Sequence, residues 1–552
     1  MLNKKWKEVV YALTAFGPNF VMVAMMAYYT DAMDPRLLKE GMLGIQSIAN
    51  YPLVAVMLFG ILWSIGRIFD GIIDVPFASL TDRMPNKYAR VRFPIIIGTV
   101  PMIAGFILTC IPLTMAANSV ANTIWFFAMS IVFFAAYTLV LIAFYGSLAT
   151  VCVDERQRAR VSTYKSIVDT VVYSIVYALI PFLSGLMGIN VVQFMMMSSP
   201  LMLTILIPLF LLKKSNKTPR PSKTRKAGFF TRAIISVKDF TLGTERNADG
   251  TVVVYKQDEE IKKVGLFKSL KFVFTNKAFI AWLVVNSVSF FGLQMFLASM
   301  NALISGVMGL NVSWHQLVLN TAAFAPVPLM LFIFYKVLRK KGPRFAFQTS
   351  LIAFAVSILA FLFASEYFWR DNVTLRIIVG CIGGTVGSYG IGSFFMMPLM
   401  IPAQVAAVDL KVTKRNNSAM YFAGQALVTS VIGAIATGVV YSAIKGIYFN
   451  ESTGLITNYT QKMLEANPTV IDDARTALAG TGNLLVPVGG MLVPIIVAVS
   501  CLIAFGIAFL MPKRYDAKTI GKLFDKSYTH VDAEENSTVL KVAEEETVAE
   551  QN

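Results

Sequence analysis

Asp70 and Asp74 stand four residues apart in "GRIFDGIIDVPFASLTDR", Gly66 to Arg83, with Arg67 just before them. The preceding residues read "YPLVAVMLFGILWSI", so these charges lie at the end of a long apolar run. At 100° per residue a helix puts the two carboxylates on one face, with Arg67 on the same side a turn further out. Counted back from Asp82 at 1.5 Å per residue, Asp74 lies about 12 Å deep and Asp70 about 18 Å, if the run crosses a membrane. Two carboxylates at that spacing make an oxygen-rich site for Na⁺ or for a shared proton, because close carboxyls push one pKa upward. The same spacing also suits a structural ion network in which Arg67 neutralises one aspartate. Lys165 and Asp169 are again one turn apart and read as a neutral structural pair.

The elements that hold these charges follow from composition. Hydrophobic residues make up 56% of the 552 and charged residues only 15%, against about 25% in a soluble domain. Apolar runs of about 20 residues or more recur, each long enough to cross ~30 Å of hydrocarbon. The first starts near Val9 with no small-residue cleavage site after it and reads as a retained span. The pattern predicts an all-α polytopic membrane protein with twelve spans, at roughly 9–31, 48–75, 93–116, 122–150, 161–186, 190–212, 278–306, 315–337, 346–365, 374–402, 418–444 and 486–511. A polar insert divides them six and six. The expected organisation is a six-helix bundle over 1–212, a cytoplasmic linker with an amphipathic helix over 213–277, a second bundle over 278–511 and an acidic tail over 512–552.

Loop charge sets the orientation. With the N-terminus in the cytoplasm, the outer side holds seven of the 49 Lys and Arg residues: Arg36, Lys39, Arg370, Arg376, Lys445, Lys462 and Arg475. The net charge of +17 is then a consequence of topology, and a nucleic-acid partner is not implied. Both termini are expected in the cytoplasm, and the lipid bilayer is the expected partner. Cys110, Cys152, Cys381 and Cys501 form no CxxC pair, and the two histidines, His315 and His530, lie in separate loops. No metal centre is expected beyond Na⁺ at Asp70 and Asp74, and no cofactor. The glycine-rich "GCIGGTVGSYGIG", Gly380 to Gly392, lies inside an apolar span with no following Lys-Ser/Thr, so it reads as a helix-packing surface and not a nucleotide loop. The outer segment 445–485 exceeds ordinary loop length and is expected to fold over the external mouth.

Several stretches together resemble the glycoside–pentoside–hexuronide:cation symporters, a branch of the major facilitator superfamily. They are "YALTAFGPNFVMVAMMAYYTDAM", "RIFDGIIDVPFASLTDR", "VRFPIIIGTVP", "YTLVLIAFYGSLATVCVDERQRARVS", "FKSLKFVFTNKAF" and "VDLKVTKRNNSAMYFAGQA", in the family's order and over most of the chain. The resemblance implies two six-helix bundles working by alternating access, with Asp70 and Asp74 holding the coupling cation, H⁺ or Na⁺. It places Thr138 at the cation site. It places Tyr137, Tyr145 and Gln425 at the solute site, with Asn19 where the family has an aspartate. Leu141, Ile73, Ser430 and Ser166 stand where the family has an aspartate, an asparagine, a lysine and an arginine. The loss of these groups leaves two solute classes open: a glycoside or sugar, or a more apolar or amphiphilic molecule moved without coupling or with a proton. Asp82 and Arg83 after the second span, and Asp154, Arg156 and Arg158 after the fourth, are expected to clasp the cytoplasmic side. The expectation is a monomeric transporter of a small organic solute in the plasma membrane. A membrane enzyme would need a nucleophile–base pair or metal cluster, and the deep spans show no histidine; a receptor would need a signalling domain, and the inner loops are too short except for the 213–277 insert.

Overall fold

The computed structural model describes residues 5–29, 53–84, 87–152, 155–180, 183, 187, 189–211, 245–246, 252–253, 265–310, 313–413, 416–459, 463, 470–479, 482–515 and 519–520. Most of the linker before 265, the acidic tail, Asp154 and the side chain of Arg67 lie outside the described residues.

Among the described residues, ten helices are long and apolar enough to cross a membrane. The second and fifth spans, Val56–Asp82 and Glu155–Ser174 with its continuation, bring the number to twelve. These two carry the deep charges of the first six spans, Asp70 and Asp74 in the second and Lys165 and Asp169 in the fifth. Their ends differ from expectation in an informative way. The second span runs about two turns past its expected end at residue 75, where Asp74, Ser79 and Thr81 are buried and need no water. The tenth span runs Val373–Thr413, eleven residues past its expected end. That extension takes Asp409 into the helix, where it is 1% exposed.

Local chemistry starts several of these helices. Ser119 accepts the N–H of Asn122 ahead of the fourth span, and Asn276 accepts those of Ala278 and Phe279 ahead of the seventh. Asn190 and Gln193 form a reciprocal capping box ahead of the sixth. The amphipathic helix expected in the linker is present as Leu266–Thr275. Four spans pass into a π-helical turn at the same end of the molecule: Met25–Tyr29, Ile175–Leu179, Leu303–Val307 and Ile435–Tyr441. These belong to spans one, five, seven and eleven, which hold corresponding places in two sets of six, as internal repeats do.

Buried apolar side chains fall into two cores. One is built from Tyr11 to Leu209 with Leu399, Ala403 and Phe422, and the other from Val273 to Ile520 with a few residues of spans two, four and five. Opposite the loops that carry the basic residues, Ile447–Asn450 lies between Leu455–Asn458 and Leu485–Val486 in an antiparallel sheet. Arg370 pins this sheet, donating from Nη1 to the Gly482 carbonyl at 2.7 Å and pairing with Glu451.

Close helix approach is enforced at Gly17, where a Cβ would stand 1.7 Å from the Leu201 carbonyl oxygen of the sixth span. Gly17→Ala is expected to cost at least 1–3 kcal/mol, roughly the range for overpacking, and to lower the melting temperature of the solubilised protein. Gly506→Ala, with no atom within 4 Å of the added carbon, is expected to leave it unchanged.

Candidate functional site

The first span meets the fourth and fifth through Asn19. Its Nδ2 donates to Asp169 Oδ1 at 2.8 Å, and its Oδ1 accepts the Tyr137 hydroxyl at 3.1 Å. The same Asp169 oxygen takes the ammonium of Lys165, which is 1% exposed and lies 5.5 Å from the centre of the Tyr145 ring. Lys165 and Asp169 are therefore not an isolated pair. They belong to one network with Asn19, Tyr137 and Tyr145, and three helices contribute to it. Tyr145 in turn packs on Phe422 of the eleventh span, ring centres 5.9 Å apart, so the network reaches the boundary between the two cores.

Next to Tyr137 on the fourth helix, Thr138 donates its hydroxyl to Asp70 Oδ1 at 2.8 Å. Asp74 is 7% exposed, one turn from Asp70 on the same face. The absence of a side chain at Gly71 lets the eleventh span come close beside Asp70, since a Cβ there would lie 2.7 Å from Ser430 Cβ. The structure thus brings together Asp70 and Thr138, and separately Asn19, Tyr137, Tyr145, Lys165 and Asp169. The polypeptide joins the two sets at adjacent residues, Tyr137 and Thr138.

Gln425 is held elsewhere. Its Oε1 accepts the indole N–H of Trp282 at 2.8 Å, and its Nε2 donates to the Pro398 carbonyl at 3.1 Å. That carbonyl is available because Pro402, four residues on, has no N–H to offer it. The bonds that hold Gln425 run to the seventh and tenth spans and not to Asn19.

Among the charges expected to clasp one end, Asp82 makes the decisive contact. Its Oδ1 accepts the N–H of Ala419 and the Asn416 side chain, both at 3.0 Å, and its Oδ2 accepts the N–H of Met420 at 3.0 Å. Asn417, at the head of the eleventh span, makes no side-chain cap of its own. A carboxylate from the second span therefore caps a helix of the other core, with the added attraction of the helix dipole. Arg83 and Arg156 are exposed, and Arg158 donates to the Cys152 carbonyl at 3.4 Å within its own half.

Sequence reasoning missed what stands behind this cap. Asp409 accepts from the Tyr421 hydroxyl at 3.1 Å, Asn417 Nδ2 at 3.2 Å and Thr413 Oγ1 at 3.0 Å. Asn276 donates to Tyr421, and Ser269 of the amphipathic helix bonds Asn417. The run "KRNNS" was the signal available, a polar cluster just before an apolar span. Buried charge in the second set of spans lies at helix ends: Asp409 is 1% exposed, and Arg376 is 3% exposed and donates to the Met308 carbonyl.

The chain matches the MFS/sugar transport protein family over residues 9–471. It belongs to that family. It is therefore a multi-pass membrane transporter, not an enzyme. No curated protein matches it in sequence. Among solved structures it is similar in fold to the major facilitator superfamily proton:xylose symporter XylE bound to 6-bromo-6-deoxy-D-glucose. The identity is 11%, the TM-score 0.51, and the match covers 94% of this chain and 98% of that one.

Asp82 supplies a test of the cap. A distance reporter between the ends of the second and eleventh spans is expected to show a close population that Asp82→Asn lowers, because a carboxamide has one acceptor oxygen where the carboxylate accepts both N–H groups.

Proposed function

We propose that this transporter is a cation-coupled symporter of a sugar or glycoside, working by alternating access. The Asn19–Asp169–Lys165 network carries the reading. Asn19 and Leu141 stand where related symporters have carboxylates, yet Asp169 supplies a carboxylate within hydrogen-bonding distance of Asn19 and Lys165 supplies an ammonium. Solute hydroxyls both donate and accept, and the site offers a carboxylate, an ammonium, a carboxamide and two phenols to meet them. This favours a hydroxylated solute over an amphiphile. XylE, a proton:xylose symporter of the same fold, supports the sugar class.

Asp70, Asp74 and Thr138 are proposed to hold the coupling ion. A proton suits them better than Na⁺. The Thr138 hydroxyl points its hydrogen at Asp70, which leaves few neutral oxygens for a hard cation, and Ile73 and Leu141 add none. One charge moving through 100 mV gains about 2.3 kcal/mol, enough for roughly a fiftyfold concentration ratio. Of the solute-site residues, Asn19, Tyr137 and Tyr145 are retained, with Lys165 and Asp169 added, and Gln425 is proposed to hold the wall from the other half.

The basic loops place the Asp82 end in the cytoplasm of a cell whose plasma membrane holds the protein. In that orientation the Asp82 cap closes the cytoplasmic side, and Arg83, Arg156 and Arg158 line it. The protein is proposed to act as a monomer of two six-helix bundles, 1–212 and 278–511, joined by the 213–277 linker.

Uptake into proteoliposomes, screened over glycosides with imposed pH or Na⁺ gradients, tests the reading. Accumulation is expected with an inward proton gradient. Asp70→Asn and Asp74→Asn are each expected to abolish accumulation against a gradient while downhill exchange continues. Concentration of solute by both variants as in the parent would place the ion elsewhere. Tyr145→Ala is expected to raise the apparent KM at least tenfold, about the effect of losing one good contact. An unchanged KM there and in Asn19→Ala would remove the solute from this network.

A further inference from the structure

One face of the fifth span continues beyond the ion pair. Lys165, Asp169, Tyr173 and Tyr177 follow at four-residue spacing, so a charged stretch gives way to two aromatic rings toward the end opposite the Asp82 cap. Tyr173 and Tyr177 lie 11° from parallel at 6.1 Å, and Tyr177 lies 11° from Phe324 of the eighth span, also at 6.1 Å. Tyr173 stacks on Phe324 at 6.0 Å and on Phe395 of the tenth span at 4.9 Å. Four rings from both halves thus present near-parallel faces to one another.

The same helix of the eighth span carries Gln316 and Asn320, at four-residue spacing below Phe324. Each is 1% exposed. Asn320 faces the fifth span, because its Nδ2 donates to the Tyr177 carbonyl at 3.3 Å, within the π-helical turn. Its Oδ1 has no partner among the described residues, and neither Nε2 nor Oε1 of Gln316 has one. Buried polar groups left without partners are rare because each forfeits its hydration. Two carboxamides with unmet hydrogen-bonding capacity, set one turn apart at the seam between the halves, need an explanation that packing does not supply. Helix periodicity puts Gln316, Asn320 and Phe324 on one side of their helix, so separation of spans five and eight uncovers the amides and the rings together.

We infer that spans five and eight form an outer subsite for a neutral hydroxylated ring, such as a second sugar ring of a glycoside, between the aromatic stack and the Gln316–Asn320 amides. The flat apolar face of a sugar ring suits an aromatic face, and its hydroxyls suit carboxamides, which donate and accept. The six side chains that define the subsite carry no formal charge, so an ion is not its ligand. Tyr173 is one turn from Asp169, so a solute of two linked rings can place one at the Asn19 network and the other on the stack. This rests on the sugar-transport reading above and extends it to the length of the substrate.

The test compares methyl glycosides of glucose, galactose and xylose with the matching disaccharides, as binding to the full-length purified protein. The wild type is expected to bind a disaccharide about tenfold or more tighter than the methyl glycoside of the same sugar. Gln316→Leu with Asn320→Leu, which keeps the seam apolar and filled, is expected to bring that ratio close to one while methyl glycoside affinity stays as in the wild type. Phe395→Ala is expected to reduce the same ratio by removing a ring from the stack. A wild type without preference for two rings overturns the subsite, as does a double-leucine variant that is more heat-stable but keeps the preference. Either result leaves the sugar reading intact. Binding of no probe from either class overturns the sugar reading and the subsite with it.

Discussion

An ionised side chain among apolar helices must be met by donors or by an opposite charge, since its lost hydration costs several kcal/mol otherwise. In this protein the groups that meet it usually come from another helix. Asp169 takes an amide from the first span, Asp70 a hydroxyl from the fourth and Asp82 two N–H groups from the eleventh. Glu8, 2% exposed, takes Gln157 and Arg160 from the fifth. The charges therefore specify which helices must lie together, and apolar packing fills the space between.

The bonds differ in what a rigid-body movement would do to them. Those of Asp169 and Asp70 connect spans one, two, four and five and would survive a relative movement of the two cores. The Asp82 bonds cross from one core to the other and would not. A transporter that alternates needs both kinds. Its central polar network has to stay assembled while the contact at each end is made and broken, and a helix cap suits the second task because it concentrates several hydrogen bonds on one carboxylate.

The aromatic seam between spans five, eight and ten is a contact of the other sort. Ring stacking is worth about 0.5–1.5 kcal/mol per pair beyond area burial, and it tolerates sliding better than a hydrogen bond does. The buried amides beside it are an expense that stacking alone does not offset. Arg376, Glu366 and the Arg370-pinned sheet lie at the same end, so ordered connections frame a seam that has not reached full polar satisfaction.

Much of the architecture was legible in the chain. Apolar runs of bilayer length, basic loops and six family-like stretches determined a twelve-span transporter, because each property is local: hydropathy, helix periodicity and loop charge are read residue by residue. The spacing of Asp70 and Asp74 is legible too, and the family resemblance points to Thr138, Asn19, Tyr137 and Tyr145. Tertiary structure alone decided the rest. That Asp169 serves Asn19, that Asp82 caps the eleventh span some 330 residues away, that Gln425 is turned toward Trp282, and that Asp409 lies inside a helix all depend on how helices rotate about their axes and which neighbours they face. Several packings satisfy the same hydropathy pattern. Buried charges and amides choose among them by the partners they can reach, and those partners are distant in sequence.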